Sequence, residues 1–206
     1  MNTRIKWQEA QQWEKEWWNT CANTVWEDVK QIGLAPYLGL KIVPNAYTQY
    51  RIPMNGESVL DIGGGPSSIL LKCENIKGTV VDPCDYPAWV GERYKASGIK
   101  YLKIKGEDIP TNARYDIVLI YNCLQHTQNP KRIIKNALAI SKEVRIFEWI
   151  NTGTNDGHPH SFTKEQLEKW LGGSGQVVNL SSQGLYGQAF IGVFLGHHYD
   201  TKTKEV

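Results

Sequence analysis

The sequence predicts an α/β protein in three layers: helices on both faces of a doubly wound, mostly parallel sheet, preceded by a Trp-rich helical arm. Three observations carry that reading. The apolar run Val59-Leu60-Asp61-Ile62 stops at three consecutive glycines, Gly63-Gly64-Gly65, and Pro66 then opens a helical stretch, the strand–turn–helix order of a βαβ unit. A second β-branched run, Thr79-Val80-Val81, ends in Asp82, 21 residues beyond Asp61. Downstream, apolar runs and helical patterns keep alternating until two β-rich runs around Gly184-Leu185-Tyr186-Gly187 close the chain as an antiparallel pair.

The composition bounds the classes of function. With 206 residues the chain can form one full core, and 41% hydrophobic against 21% charged residues is the balance of a soluble globular domain. The net charge of +2 and the lack of a basic tract give no reason to expect a nucleic acid as partner. No apolar run reaches membrane-spanning length, and the N-terminus is charged and Trp-rich rather than a signal peptide, so no membrane and a cytoplasmic location are expected. Cys21, Cys73, Cys84 and Cys123 are scattered without a C-x-x-C pair, which predicts reduced thiols and no metal. Nothing in the sequence sets an oligomeric state. The division expected is an arm and connector over 1–56 and one domain over 57–206.

Each element has its own signal. From Ile5 to Ile32, Trp7, Ala10, Trp17, Cys21, Val25, Val29 and Ile32 recur at threes and fours, with a restart near Asn23 or Thr24, where Thr24-x-x-Glu27 has capping-box spacing. The cluster Trp13, Trp17 and Trp18 reads as packing of the arm onto the domain and also as a lid that walls a substrate pocket and excludes water. Gly33 to Gly56 is a turn-rich connector with at most one short helix. Helix is expected over Ser67–Cys73, Tyr86–Ser97, Lys131–Ser141 and Lys164–Leu171, the last opened by Thr163-x-x-Gln166 and stopped by Gly172-Gly173. Strands are expected over Ile99–Lys105, Tyr115–Tyr121, Val144–Ile150, Gln176–Ser182 and Ala189–Leu195.

A turn made only of glycine reaches positive φ and lets a ligand approach bare backbone, and the helix N-terminus beside it offers free N–H groups. An acid closing the second strand suits a ribose hydroxyl pair. Asp61-Ile62-Gly63-Gly64-Gly65 followed by Asp82 resembles the first two motifs of the class I S-adenosylmethionine (SAM) dependent methyltransferases. The nicotinamide fingerprint fits less well, because Ser68 stands where its third glycine belongs. The resemblance covers about Ser58 to Leu195 and implies a seven-stranded sheet whose last strand is inserted antiparallel. It implies SAM as cofactor, held by Asp61, Gly63, Gly64, Gly65, Pro66, Ser67, Asp82 and Pro83. Glu107 and Asp108 compete for an adenine-contacting acid, Asp108 beside Ile109 fitting the family pattern better, with Ile109 over the ring. Asn122-Cys123-Leu124-Gln125-His126 is similar to the loop that lies under the methionine part of the cofactor, which brings in Asn122 and Gln125. The Asn/Asp-Pro-Pro-Tyr/Phe motif of amino-methylating nucleic-acid enzymes is absent from the sequence.

The resemblance implies methyl transfer to a small-molecule acceptor by in-line displacement, for which the protein supplies alignment, desolvation and, for a hydroxyl acceptor, a base. His126 is the first candidate base, with activity expected to rise through the imidazole pKa. His158 and His160 are candidates on the acceptor side, together with Trp17, Trp18 and Glu148. Each histidine also has a purely structural reading, and the three with Glu148 have a metal-site reading. His197 and His198 read as exposed. RNA or protein as acceptor, and a non-catalytic SAM-binding or accessory subunit, stay open as alternatives.

Overall fold

The structure is a computed structural model that describes residues 3–18, 21–45, 49–185 and 187–197; His198 and Tyr186, named above, lie outside them, as do the side chains of Cys21 and Asn23. Seven strands make the central sheet: β3 (Ser58–Ile62), β5 (Lys77–Val81), β6 (Lys100–Leu102), β7 (Tyr115–Tyr121), β8 (Ser141–Trp149), β9 (Gln176–Asn179) and β10 (Gln188–Leu195), in the order β6-β5-β3-β7-β8-β10-β9. Only β10 runs against its neighbours; it lies between β8 and β9, antiparallel to both. The expected doubly wound sheet with an inserted antiparallel last strand is therefore borne out.

The strands at the centre are apolar on both faces because both are covered. Val118, Leu119 and Ile120 of β7 are fully buried, and their alternation feeds two cores. One face carries Leu60, Val118, Ile133, Ile134 and Phe190. It is covered by α4 (Pro130–Ile140) and α5 (Lys164–Leu171). Asn129 caps α4 by accepting from Arg132 N–H, and Thr163 caps α5 by accepting from Gln166 N–H, as the capping-box spacing predicts. The other face carries Val59, Val80, Leu119 and Phe147 under α3 (Ala88–Ala96), with Leu34, Leu38 and Ile52 from the N-terminal quarter in the same core.

Three local expectations are corrected. The connector holds a 3-10 turn, Ala35–Leu38, and an antiparallel pair, β1 (Val43–Asn45) and β2 (Gln49–Pro53), to which β4 (Cys73–Glu74) adds as a third strand. The helix expected after the glycine turn is a single 3-10 turn, Ile69–Lys72, capped by Ser68 rather than opened by Pro66. Ser68 is engaged on both sides: its Oγ donates to Asp61 Oδ2 at 2.5 Å and its N–H to Tyr94 Oη at 3.0 Å. Those bonds hold the chain extended where a helix would turn.

The third correction concerns the arm, which is two helices, α1 (Thr3–Trp17) and α2 (Cys21–Leu34), so that Thr24 lies inside α2 rather than capping it. The Val25/Val29 stripe faces outward, with Trp26, while Thr24 and Gln31 are buried. The surface that the domain offers α2 is polar. Asp28 pairs with Arg93 at 3.2 Å and Lys72 at 3.7 Å and accepts from Ser67 Oγ, and Gln31 donates to the Ser67 carbonyl at 2.5 Å. Burying those partners unpaired costs more than exposing two valines, so the polar stripe turns in.

Candidate functional site

The site forms at the C-terminal ends of β3, β5 and β7, where an open α/β sheet receives ligands. Gly63 has φ +72° and Gly65 φ +54°, and a Cβ on Gly63 would meet the Cys123 side chain at 2.5 Å. The turn therefore exists only as glycine. Asp61 is buried at the end of β3, with Oδ1 unpartnered among the described residues, and burial pushes its carboxyl up to about 7. Asp82, also buried, accepts from Gly65 N–H at 3.1 Å and from Cys84 N–H at 2.9 Å, and its carboxyl is pushed up to about 6, chiefly by burial. Each oxygen keeps a lone pair for a ligand hydroxyl.

Helix α1 roofs this cavity. Trp7, Gln11, Glu14 and Trp18 line it at spacings of four, three and four, together with Trp13 and Trp17. The last two rings stack, centroids 5.5 Å apart and 11° from parallel. Trp18 donates its indole N–H to Glu14 Oε2 at 3.0 Å, and Lys105 lies 4.2 Å over the Trp7 ring. Glu14 was not anticipated, although the 7-11-14-18 spacing was legible as one helix face.

Of the residues expected at the cofactor, Asp61, Gly63, Gly64, Gly65, Asp82, Pro83, Glu107, Asn122 and Gln125 line the cavity, whereas Pro66, Ser67, Asp108 and Ile109 do not. Ser67 is turned to Asp28, and Ile109 is in the core beneath α4. Between the two loop acids, Glu107 is the buried one; its Oε1 accepts from the N–H groups of Gln128 and Asn129 at 3.1 and 2.7 Å, while Asp108 stays exposed near Arg132. Asn122 holds φ +49° at the end of β7, and its Oδ1 accepts from Gln125 Nε2 at 3.0 Å.

On the acceptor side the structure separates the candidates. His126 and His158 line the cavity with ring centroids 4.6 Å apart. Burial pulls both imidazoles down to about 4, out of the range in which His126 was expected to titrate. His160 and Glu148 are not in the cavity. His160 Nε2 lies 2.8 Å from the Thr127 carbonyl and ties two loops together. Glu148 is fully buried, and its Oε2 accepts from the N–H groups of Cys123 and Leu124 at 3.1 and 2.8 Å, which fixes the loop leading to His126. Among the described residues, no three or more His, Cys, Asp or Glu side chains are arranged to hold a metal ion.

A mostly parallel seven-stranded sheet with an inserted antiparallel strand, a glycine turn after one central strand and an acid closing its neighbour define the class I methyltransferase fold. The family model described as the methyltransferase domain matches residues 60–143, from within β3 into β8. Solved structures agree on the fold. The 1,6-didemethyltoxoflavin-N1-methyltransferase of Burkholderia thailandensis, crystallised with 1,6-didemethyltoxoflavin and S-adenosylhomocysteine, is 18% identical with a TM-score of 0.56, over 84% of this chain and 80% of that one. The plantazolicin methyltransferase BamL, in complex with a desmethyl analogue and SAH, is 18% identical at 0.52, over 82% and 73%. The [4+2]-cyclase SpnF is 15% identical at 0.54, over 74% and 58%. At these identities the likeness is one of fold. No curated protein matches the chain.

Proposed function

We propose that this chain transfers the methyl group of SAM to a small-molecule acceptor. The observation that carries the reading is the cavity itself: the Gly63–Gly65 turn and Asp82 on one side, His126 and His158 on the other, under one aromatic roof. SAM fits the residues present, since Asp61 lines the cavity with a buried carboxyl oxygen left unpartnered among the described residues and the glycines leave the backbone bare. Bound SAM supplies a methyl already activated on a sulfonium. Asp82 would accept from the ribose hydroxyls and Glu107 would serve the adenine, while Asn122 and Gln125 line the cavity beside His126. Trp13, Trp17 and Trp18 exclude water and present flat apolar faces to the acceptor. Neutral His126 takes the proton of a hydroxyl or amine acceptor. The arm and connector, 1–56, then divide from the domain, 57–206, by role, although they share a core. A cytoplasmic location accords with the free thiols Cys73, Cys84 and Cys123.

Calorimetry tests the cofactor. Tight SAH binding, no NAD binding, and a loss of about 1–3 kcal/mol of SAH affinity in Asp82→Ala are expected, the scale of a hydrogen bond to a charged acceptor. Unchanged affinity in that variant would remove Asp82 from the site. Mass detection of methylated product across planar, ionisable acceptors then decides turnover.

A further inference from the structure

We propose that Glu14, on the N-terminal helix, is the orienting partner of His126, so that the closed arm contributes the acidic member of the pair that accepts the acceptor's proton. The proposal rests on the methyl-transfer reading and refines it by assigning the arm a part in proton transfer beyond that of a cover.

The geometry is that of an imidazole held from behind. His126 Nδ1 is hydrogen-bonded to the Gly157 carbonyl oxygen at 2.7 Å, and Glu14 Oε1 lies beside the same nitrogen at 3.0 Å as its nearest carboxyl oxygen. Nδ1 therefore carries the hydrogen, and Nε2 is the basic nitrogen. The neighbour of Nε2 is Gln125 Nε2 at 3.5 Å, too long to hold it against an incoming O–H or N–H. Glu14 is itself fixed, because Trp18, the residue just past the end of α1, donates to Oε2 while Oε1 faces the histidine. Both side chains are only 15% exposed, so their interaction is weakly screened. The same division of labour holds in hydrolytic triads, where a buried carboxylate selects the tautomer and stabilises the imidazolium that forms.

The other charged and titratable groups around the pair come from every packed element: Glu27 and Lys30 from α2, Asp82, Cys84 and Tyr86 after β5, and His158 beside the His126 ring. Burial raises Glu14 to about 7, so the carboxylate that orients His126 becomes available only near neutrality. In the step itself, the acceptor's lone pair forms the bond to the methyl carbon and the carbon–sulfur bond breaks with its electron pair left on sulfur. The acceptor's proton passes to His126 Nε2, and the resulting positive charge lies against the Glu14 carboxylate. Because Glu14 belongs to α1, the base is complete only when the arm is down.

The test uses the full chain labelled with ¹⁵N, with His126→Asn to assign the imidazole signals. In the wild type those signals should report an Nδ1–H tautomer and shift through about pH 7 as Glu14 ionises. Glu14→Gln should lose that step while melting like the wild type. Its kcat should fall about 100-fold, the lower end of what general acid–base catalysis contributes, with SAH affinity within about threefold. The acidic limb of the kcat–pH profile near 7 should vanish with it, and Glu14→Asp, which keeps a carboxylate, should recover part of the rate. An Nε2–H tautomer in the wild type, or an unaltered His126 titration in Glu14→Gln, overturns the pairing. If SAH does not bind at all, the methyl-transfer reading fails by itself, and the His126 titration still decides whether the pair exists.

Discussion

The carboxyl of Glu148 lies wholly buried beneath the loop that carries His126, with one oxygen taken by two backbone N–H groups and the other unpartnered among the described residues. Burial outweighs those hydrogen bonds and raises its pKa from 4.5 to about 8. The folded state thus holds a proton that the unfolded chain has released between those values. Its contribution is fully present below about 4.5 and is lost as pH rises toward 8. Glu148→Gln should therefore melt with a shallower decline between pH 5 and 8 than the wild type, the two curves converging near pH 4. Asp61 and Asp82 titrate in part of the same window and keep some slope in the variant. Thermal melts across that range check this, and parallel curves would mean that Glu148 stays ionised in the fold. Sequence reading placed Glu148 at the end of the right strand but on the acceptor side. A strand-end carboxylate can turn into a cavity or under the neighbouring loop, and only the register of β7 against β8 decides which.

The two helices of the arm differ in how they are attached. α2 is joined to the domain by buried polar contacts at Asp28 and Gln31, and its end, Leu34, lies in the shared core. α1 touches the domain mainly through the roof of the cavity, at Trp7, Gln11, Trp13, Glu14 and Trp18. Removal of residues 1–18 should leave a cooperative melt with measurable SAH binding, and turnover should drop at least about 100-fold as water and the unpaired His126 are exposed. Removal through Ile32 should abolish the cooperative transition, because Arg93, Lys72 and the Ser67 carbonyl lose their partners. Wild-type turnover without α1 would take the helix out of the mechanism. The 3.6-residue pattern made both helices legible, yet it ranked the faces of α2 by hydrophobicity alone. The polar partners that reverse that ranking come from residues 67, 72 and 93, which no local pattern reveals.

At the scale of the molecule, the sheet is packed on both faces while α1 covers the cavity from one side. A Cβ on Gly65 would lie 3.7 Å from the Trp18 ring, and one on Gly157 would meet Trp13 at 2.9 Å, so α1 rests directly on both walls of the cavity. Entry of a ligand to the glycine turn is expected to lift it. Hydrogen exchange should show α1 opening far more readily than α4 in the free protein, and slowing about tenfold or more when SAH is bound, while α4 and β7 stay unchanged. Equal protection of α1 with and without SAH would indicate a rigid wall. Among the described residues no helix is long and apolar enough to cross a membrane.

The sequence by itself determined the central sheet, the glycine turn, the acids at positions 61 and 82 and the loop leading to His126. These depend on local order: β-branched runs, glycines where φ must be positive, and caps three residues ahead of their partners. Tertiary structure alone decided that Glu107 rather than Asp108 turns inward, that His160 and Glu148 serve the loops, that Ser68 stops a helix by bonding Asp61 and Tyr94, and that Glu14 reaches His126 across 112 positions of chain. Each of those outcomes is a competition for a buried polar partner supplied by a distant segment, and its energy exists only once both segments are packed together.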